Sequence, residues 1–305
     1  MPDPILMLEA LAAALVASAL VAAAGRLGGR RWAAASQAAA IALGVAAGLA
    51  VLKVHPRWPM REDQDRFLGL VLPAVVLLES LPGSVRFPGW ARIGARLLAS
   101  AAVAPALLFG SSYVADLAGP GSATWPPAQR CAILAGLGAT LFAGWSLLNW
   151  TARRSGSAFR VPFALAGATA GASGCVMLSG YATGGMNGLP IAGALAGAAI
   201  AAALLRGDDR DALPGVGIVA LSGLLLSGYA FGELRPDAAV ALFLAPLLCA
   251  VPEAPPLAGL KPWARSAIAL ALVATATAAV VGLTLHRFQA AAASKATDDP
   301  YDAYR

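Results

Sequence analysis

The sequence predicts an all-α, polytopic transmembrane helix bundle of about ten spans, and three observations predict it. The 305-residue chain is 59% hydrophobic and 12% charged, half the roughly 25% charge of an ordinary soluble domain. Its mean hydropathy is +0.71. Its apolar runs repeatedly reach the ~17–25 residues that cross a bilayer as a helix. Helices are expected because hydrocarbon forces every backbone polar group to be satisfied within its own segment. The alternating period of a membrane β-strand is absent.

The spans are expected near 5–24, 32–54, 67–82, 92–116, 129–150, 160–183, 189–205, 213–232, 237–252 and 264–286. The first follows Asp3 with no preceding Lys or Arg, unlike the positive start of a secretory signal. Its basic residues, Arg26, Arg30 and Arg31, come after it, which reads as a retained span. Two spans are short and interrupted. "FLGLVLPAVVLLESLP" carries Pro73 and Glu79, and "AAVALFLAPLLCAVPE" carries Pro246 and ends at Glu253. Residues 1–287 form one expected membrane domain, and the polar 288–305 an expected disordered tail.

Alternate loops hold Arg26, Arg30, Arg31, Arg86, Arg92, Arg96, Arg153, Arg154, Arg160, Arg206, Arg210, Lys261 and Arg265. The opposite loops hold only Lys53, Arg57, Arg61, Arg66, Arg130 and Arg235. The larger set belongs in the cytoplasm by the positive-inside rule, so both termini are expected outside it. Heavy Ala, Gly and Arg usage suggests a bacterial inner membrane. Trp32, Trp58, Trp90, Trp125, Trp150 and Trp263 fall at span edges, where indole prefers the headgroup level. The stretch "REDQDRF" (61–67) reads as a short interfacial helix.

One motif recurs. "LSGYATGG" ends the sixth span and "LSGYAFGE" the eighth, 48 residues later. A looser relative, "FGSSYVAD", ends the fourth. Spans six to nine are therefore read as a candidate repeat of parallel hairpins, an architecture that some transporters use. Tyr113, Ser179, Tyr181, Ser227 and Tyr229 become candidates for an outer solute pathway, with Glu79 below them and Asp116 and Glu233 at the rim. Interfacial anchoring of Tyr and small-residue packing is the structural alternative.

Gly171-Ala172-Ser173-Gly174 resembles the GxSG motif of rhomboid intramembrane proteases. That family pairs the serine with a histidine on a later span. His55 and His286 both fall near the outer boundary, far from the mid-span Ser173, so no enzyme is expected. Cys131, Cys175 and Cys249 lie in three different spans, with no metal-ligand spacing. No cofactor or metal is expected. The net charge of +6 is explained by the loops, so no nucleic-acid partner is expected. Few charges lie deep in the spans, which argues against an ion-coupled pump.

Two functions follow. One is a transporter or channel-like protein for a small solute. The other is a non-catalytic membrane subunit that assembles with copies of itself or other membrane proteins through Gly/Ala-rich faces.

Overall fold

The computed structural model describes residues 3–27, 33–84, 88–115, 123–205 and 212–297. Arg30, Arg31, Trp32, Arg86, Asp116, Arg206, Arg210 and residues 298–305 lie outside them. Among the described residues every regular element is a helix. In chain order these are α1 (Pro4–Leu27), α2 (Ala33–Val51), α3 (Asp63–Arg66), a π-helix (Phe67–Val71), α4 (Leu72–Ser84), α5 (Gly89–Leu108) and α6 (Pro127–Ser155). There follow α7 (Arg160–Leu178), α8 (Ala182–Leu204), α9 (Ala212–Phe231), α10 (Pro236–Leu244), a 3-10 helix (Ala245–Glu253), α11 (Pro255–Ala258) and α12 (Pro262–Thr297).

Eight helices among the described residues are long and apolar enough to cross a membrane. The other two expected spans are shorter. Ala35–Val51 is one, and the run from α3 through α4 is broken by its π-turn. "REDQDRF" is not a separate helix: Asp63–Arg66 leads directly into the π-turn and α4, and Asp63 and Asp65 are buried. The physical cause sits nearby. Pro73 cannot donate to the carbonyl four residues back, and the ladder before it widens, with Leu72 N–H reaching Phe67 C=O. Pro246 and Pro252 similarly accompany the tightening of the α10 segment into a 3-10 helix.

Helices α8 and α9 form the middle of the bundle, each with nearly three quarters of its apolar window buried; α1 and α12 lie outermost. Close approach there depends on missing side chains. A Cβ on Gly197 of α8 would fall 2.1 Å from the Leu15 carbonyl of α1. Gly193 sits one turn away against Leu11, so Gly193-x-x-x-Gly197 is the α1-facing seam. Ser18 Oγ donates to the Ala194 carbonyl across it at 2.7 Å. In "GATAGASG", Gly171 receives Thr277 of α12, whereas Gly167 and Gly174 face open space.

Helix α12 continues through Thr297, ten residues into the segment expected to be a disordered tail. "FQAAAASKAT" is rich in alanine, the best helix former, and simply propagates a helix already nucleated. Trp58, Trp90, Trp150 and Trp263 are exposed, as edge residues should be. Trp125 is buried, its ring 4.9 Å from that of Tyr113.

Candidate functional site

Helix α7 runs about 28 Å from Arg160 to Leu178 at 1.5 Å per residue. A polar cluster lies at each end of it. At the Leu178 end, α7 stops in a Schellman motif: Gly180 takes φ +87°, Gly180 N–H bonds Met177 C=O, and Tyr181 N–H bonds Val176 C=O. That turn swings Tyr181 back over the start of α8. A Cβ on Gly184 would lie 2.0 Å from the Tyr181 ring, so only glycine lets the ring settle there.

The Tyr181 hydroxyl donates to Asp63 Oδ1 at 2.7 Å. Gln64 Nε2 donates to the same hydroxyl oxygen at 2.9 Å and to Thr183 Oγ1 at 2.8 Å. Asn187 Nδ2 donates to Gln64 Oε1 at 3.0 Å. Asp63 and Asn187 are buried, and Asp63 Oδ2 and Asn187 Oδ1 have no hydrogen-bond partner. Burial and the neighbouring Asp63 carboxylate push the Tyr181 phenol far above its ordinary value, so it remains a donor.

Beside the cluster opens a polar cavity of about 330 Å³, lined by Lys53, His55, Arg57, Glu62, Gln64 and Asp65 among others. Asp65 Oδ1 accepts the Arg57 N–H at 2.8 Å, pinning the loop over α3. Lys53 closes α2 in the left-handed region at φ 57°, with Val54 N–H reaching Leu49 C=O. A side chain there costs ~1–2 kcal/mol relative to glycine, and this lysine is one of the residues lining the cavity.

The other candidate residues divide. Tyr229 is exposed on the face of α9 and lines a separate, mainly apolar cavity of about 270 Å³ with Ser100, Thr140, Ser222 and Phe243. Tyr113 stacks near it at 6.3 Å, and Tyr181 lies 6.3 Å from Phe231. All three tyrosines are thus at one end of the bundle, and of the three Tyr229 alone lines one of these two cavities. Ser179 Oγ is turned to the Val176 carbonyl, while its own carbonyl accepts the Glu233 N–H. Ser227 is buried in α9, Glu233 is exposed, and Glu9 is exposed on α1.

Glu79 is elsewhere. Sixteen residues of helix place it about 24 Å along from Asp63. There its carboxylate takes a two-pronged bond from Arg96 of α5, 3.0 and 3.3 Å, and the guanidinium lies 5.5 Å from the Trp145 ring centre. A second ionic cluster closes the Arg160 end of α7. Arg160, fully buried, donates to Glu253 Oε1 and to Ser266 Oγ; Arg265 donates to Glu253 Oε2 at 3.0 Å. The chain therefore buries more charge than its apolar runs suggest. Ser173 of the GxSG stretch donates its hydroxyl to the Gly185 carbonyl, tying α7 to α8.

Sequence reading missed Asp63, Gln64, Thr183, Asn187, Arg160 and Glu253 as partners. Asn187, an amide within an apolar helix, was the one local signal. The aspartates were hidden in a charge-rich loop, and Arg160 among loop basics.

Long apolar helices and polar groups paired across them define the class: an integral, multi-pass membrane protein. No family model, curated protein or solved structure matches the chain.

Proposed function

We propose that the protein is a carrier for a small polar solute, with the Asp63–Tyr181–Gln64–Asn187 cluster as its binding site and the polar cavity as the entrance. One observation supports this most. Asp63 is a buried carboxylate with one oxygen bonded to Tyr181 and the other without a partner. An ionised group held this way in a membrane protein is costly, and its retention marks a site. The π-turn beside it belongs with this reading, since single π-turns frequently occur at functional sites. So does the broken α10 segment, because carriers bind at discontinuous helices.

The carrier has ten passes in this reading, counting Ala35–Val51 and Asp63–Ser84 with the eight longer helices. Hairpins α7–α8 and α9–α10 form its parallel repeat. The charge count puts the Asp63 end and both termini outside the cytoplasm, in a bacterial inner membrane. The test is uptake from a mixture of small metabolites into proteoliposomes, read by mass spectrometry. At least one compound should accumulate over empty liposomes and fall to background with Asp63→Asn. If no compound does, the carrier reading fails.

The assembly reading keeps one support. Helix α12, at 36 residues, is about 54 Å long against a hydrocarbon core of about 30 Å. Its projecting turns and the open Gly167 and Gly174 offer surfaces to a partner or a second copy. A monomeric mass in both detergent and nanodiscs would remove the self-assembly form of that reading.

A further inference from the structure

The hydrogen-bond logic of the Asp63 cluster leaves two oxygens over. Tyr181 has one proton, and it is committed to the Asp63 carboxylate. Its oxygen then needs a donor, which orients the Gln64 amide with Nε2 toward Tyr181 and Thr183 and Oε1 toward Asn187. Asn187 must answer with its own NH₂, so its carbonyl oxygen faces away from Gln64. Asp63 Oδ2 and Asn187 Oδ1 both remain acceptors, both are shut away from water, and the protein supplies neither with a donor. Each such orphan is costly, and more so where the group is charged.

The charges around them restrict what could fill the gap. Among the described residues no Lys, Arg or His forms an ion pair with Asp63. Lys53, His55 and Arg57 line the cavity with Glu62; Arg66 is turned to the carbonyls of Phe109, Arg61 and Glu62. The second buried carboxylate, Asp65, holds the Arg57 amide. The free acceptors are hard oxygens, one charged and one neutral. No group of three or more His, Cys, Asp or Glu gathers anywhere among the described residues. Divalent ions demand several carboxylates or a full set of protein oxygens. One carboxylate with a neutral amide oxygen balances a single positive charge.

We propose that Asp63 and Asn187 bind a small, hard monovalent cation of the sodium or lithium class, its remaining ligands being water that enters with it. Its role as the coupling ion rests on the carrier reading; the binding itself does not. The ion ties α3 to the start of α8, and its departure leaves the two orphaned oxygens that a change of conformation would relieve.

The test is thermal unfolding of the full chain in detergent, followed by tryptophan fluorescence. NaCl or LiCl is titrated against choline chloride at constant ionic strength, because a ligand bound only by the folded state raises its melting temperature. Wild type should be stabilised saturably by sodium or lithium. Asp63→Asn and Asn187→Ala should lose that response, and Asp65→Asn should keep it. A wild type that melts identically in sodium, lithium and choline overturns the site, as does a response equal in Asp63→Asn or one seen only with calcium. If either variant fails to fold, the other and the wild-type ion series still decide. Sodium stabilisation with sodium-independent uptake keeps the site and removes the coupling; uptake without any ion response removes the site and keeps the carrier.

Discussion

The two copies of "LSGYA" take different conformations, and the difference shows how little five identical letters decide. In the first, α7 ends: Gly180 turns left-handed and Tyr181 folds inward onto Asp63. In the second, the same letters stay helical to Phe231, Gly228 packs against Val176, and Tyr229 remains on the helix face. The cause lies downstream. Glycine follows both copies at the same offset, Gly184 and Gly232, so it lets the Tyr181 ring lie back over α8 without by itself separating the two. After the second, Pro236 sets the start of α10 and holds Arg235 extended, so the turn falls at Gly232–Arg235 instead. The copies then meet, Glu233 N–H bonding Ser179 C=O at 2.7 Å. One has become a polar site and the other part of an apolar wall.

The largest expected effect lies at the far end of α7 and calibrates the rest. Glu253→Gln leaves Arg160 buried without its counter-charge and should cost about 3–5 kcal/mol. It should appear as the deepest fall in thermal stability of any substitution named here. Next, Tyr181→Phe removes a bond to a buried carboxylate and should cost about 1.5–3 kcal/mol. Tyr229→Phe should leave the melting temperature within error, and equal losses at both positions would end the distinction between the copies. Gly184→Ala should cost about 1–3 kcal/mol by overpacking the Tyr181 ring.

The smallest pair concerns backbone alone. Gly180→Ala forces a side chain into the left-handed region and should cost about 1–2 kcal/mol. Gly228→Ala, in a helix, recovers helix propensity worth about 1 kcal/mol but drives a Cβ to 2.6 Å from a methyl of buried Val176, and the net cost should be about 0–2 kcal/mol. Lys53→Gly relieves the reverse case and should stabilise by about 1 kcal/mol. Melting temperatures of the three variants would rank them directly.

Legibility followed the range of the physics. Pro73 and Pro246 marked the two interrupted segments because a missing N–H acts within one helical turn. The edge position of Trp90 or Trp263 was readable because the bilayer acts on each residue alone. Trp125 does stand at an edge, two residues before α6, but its burial beside Tyr113 was not readable, because Tyr113 follows a different helix. Glu79 was visible as an acidic residue in an apolar run; that Arg96 neutralises it was not. The tail was read as disordered from its polar letters, yet its alanines extend α12.

By itself, then, the sequence determined the class. Hydrocarbon admits only backbones that satisfy their own hydrogen bonds, and apolar runs of this length have one way to do so. Only the tertiary structure decided which polar groups meet. Tyr181 and Asp63 are 118 residues apart. What brings them together is a left-handed glycine, a missing Cβ at Gly184 and a helix start buried by its neighbours. Those are relations between surfaces, and no stretch of sequence carries them alone.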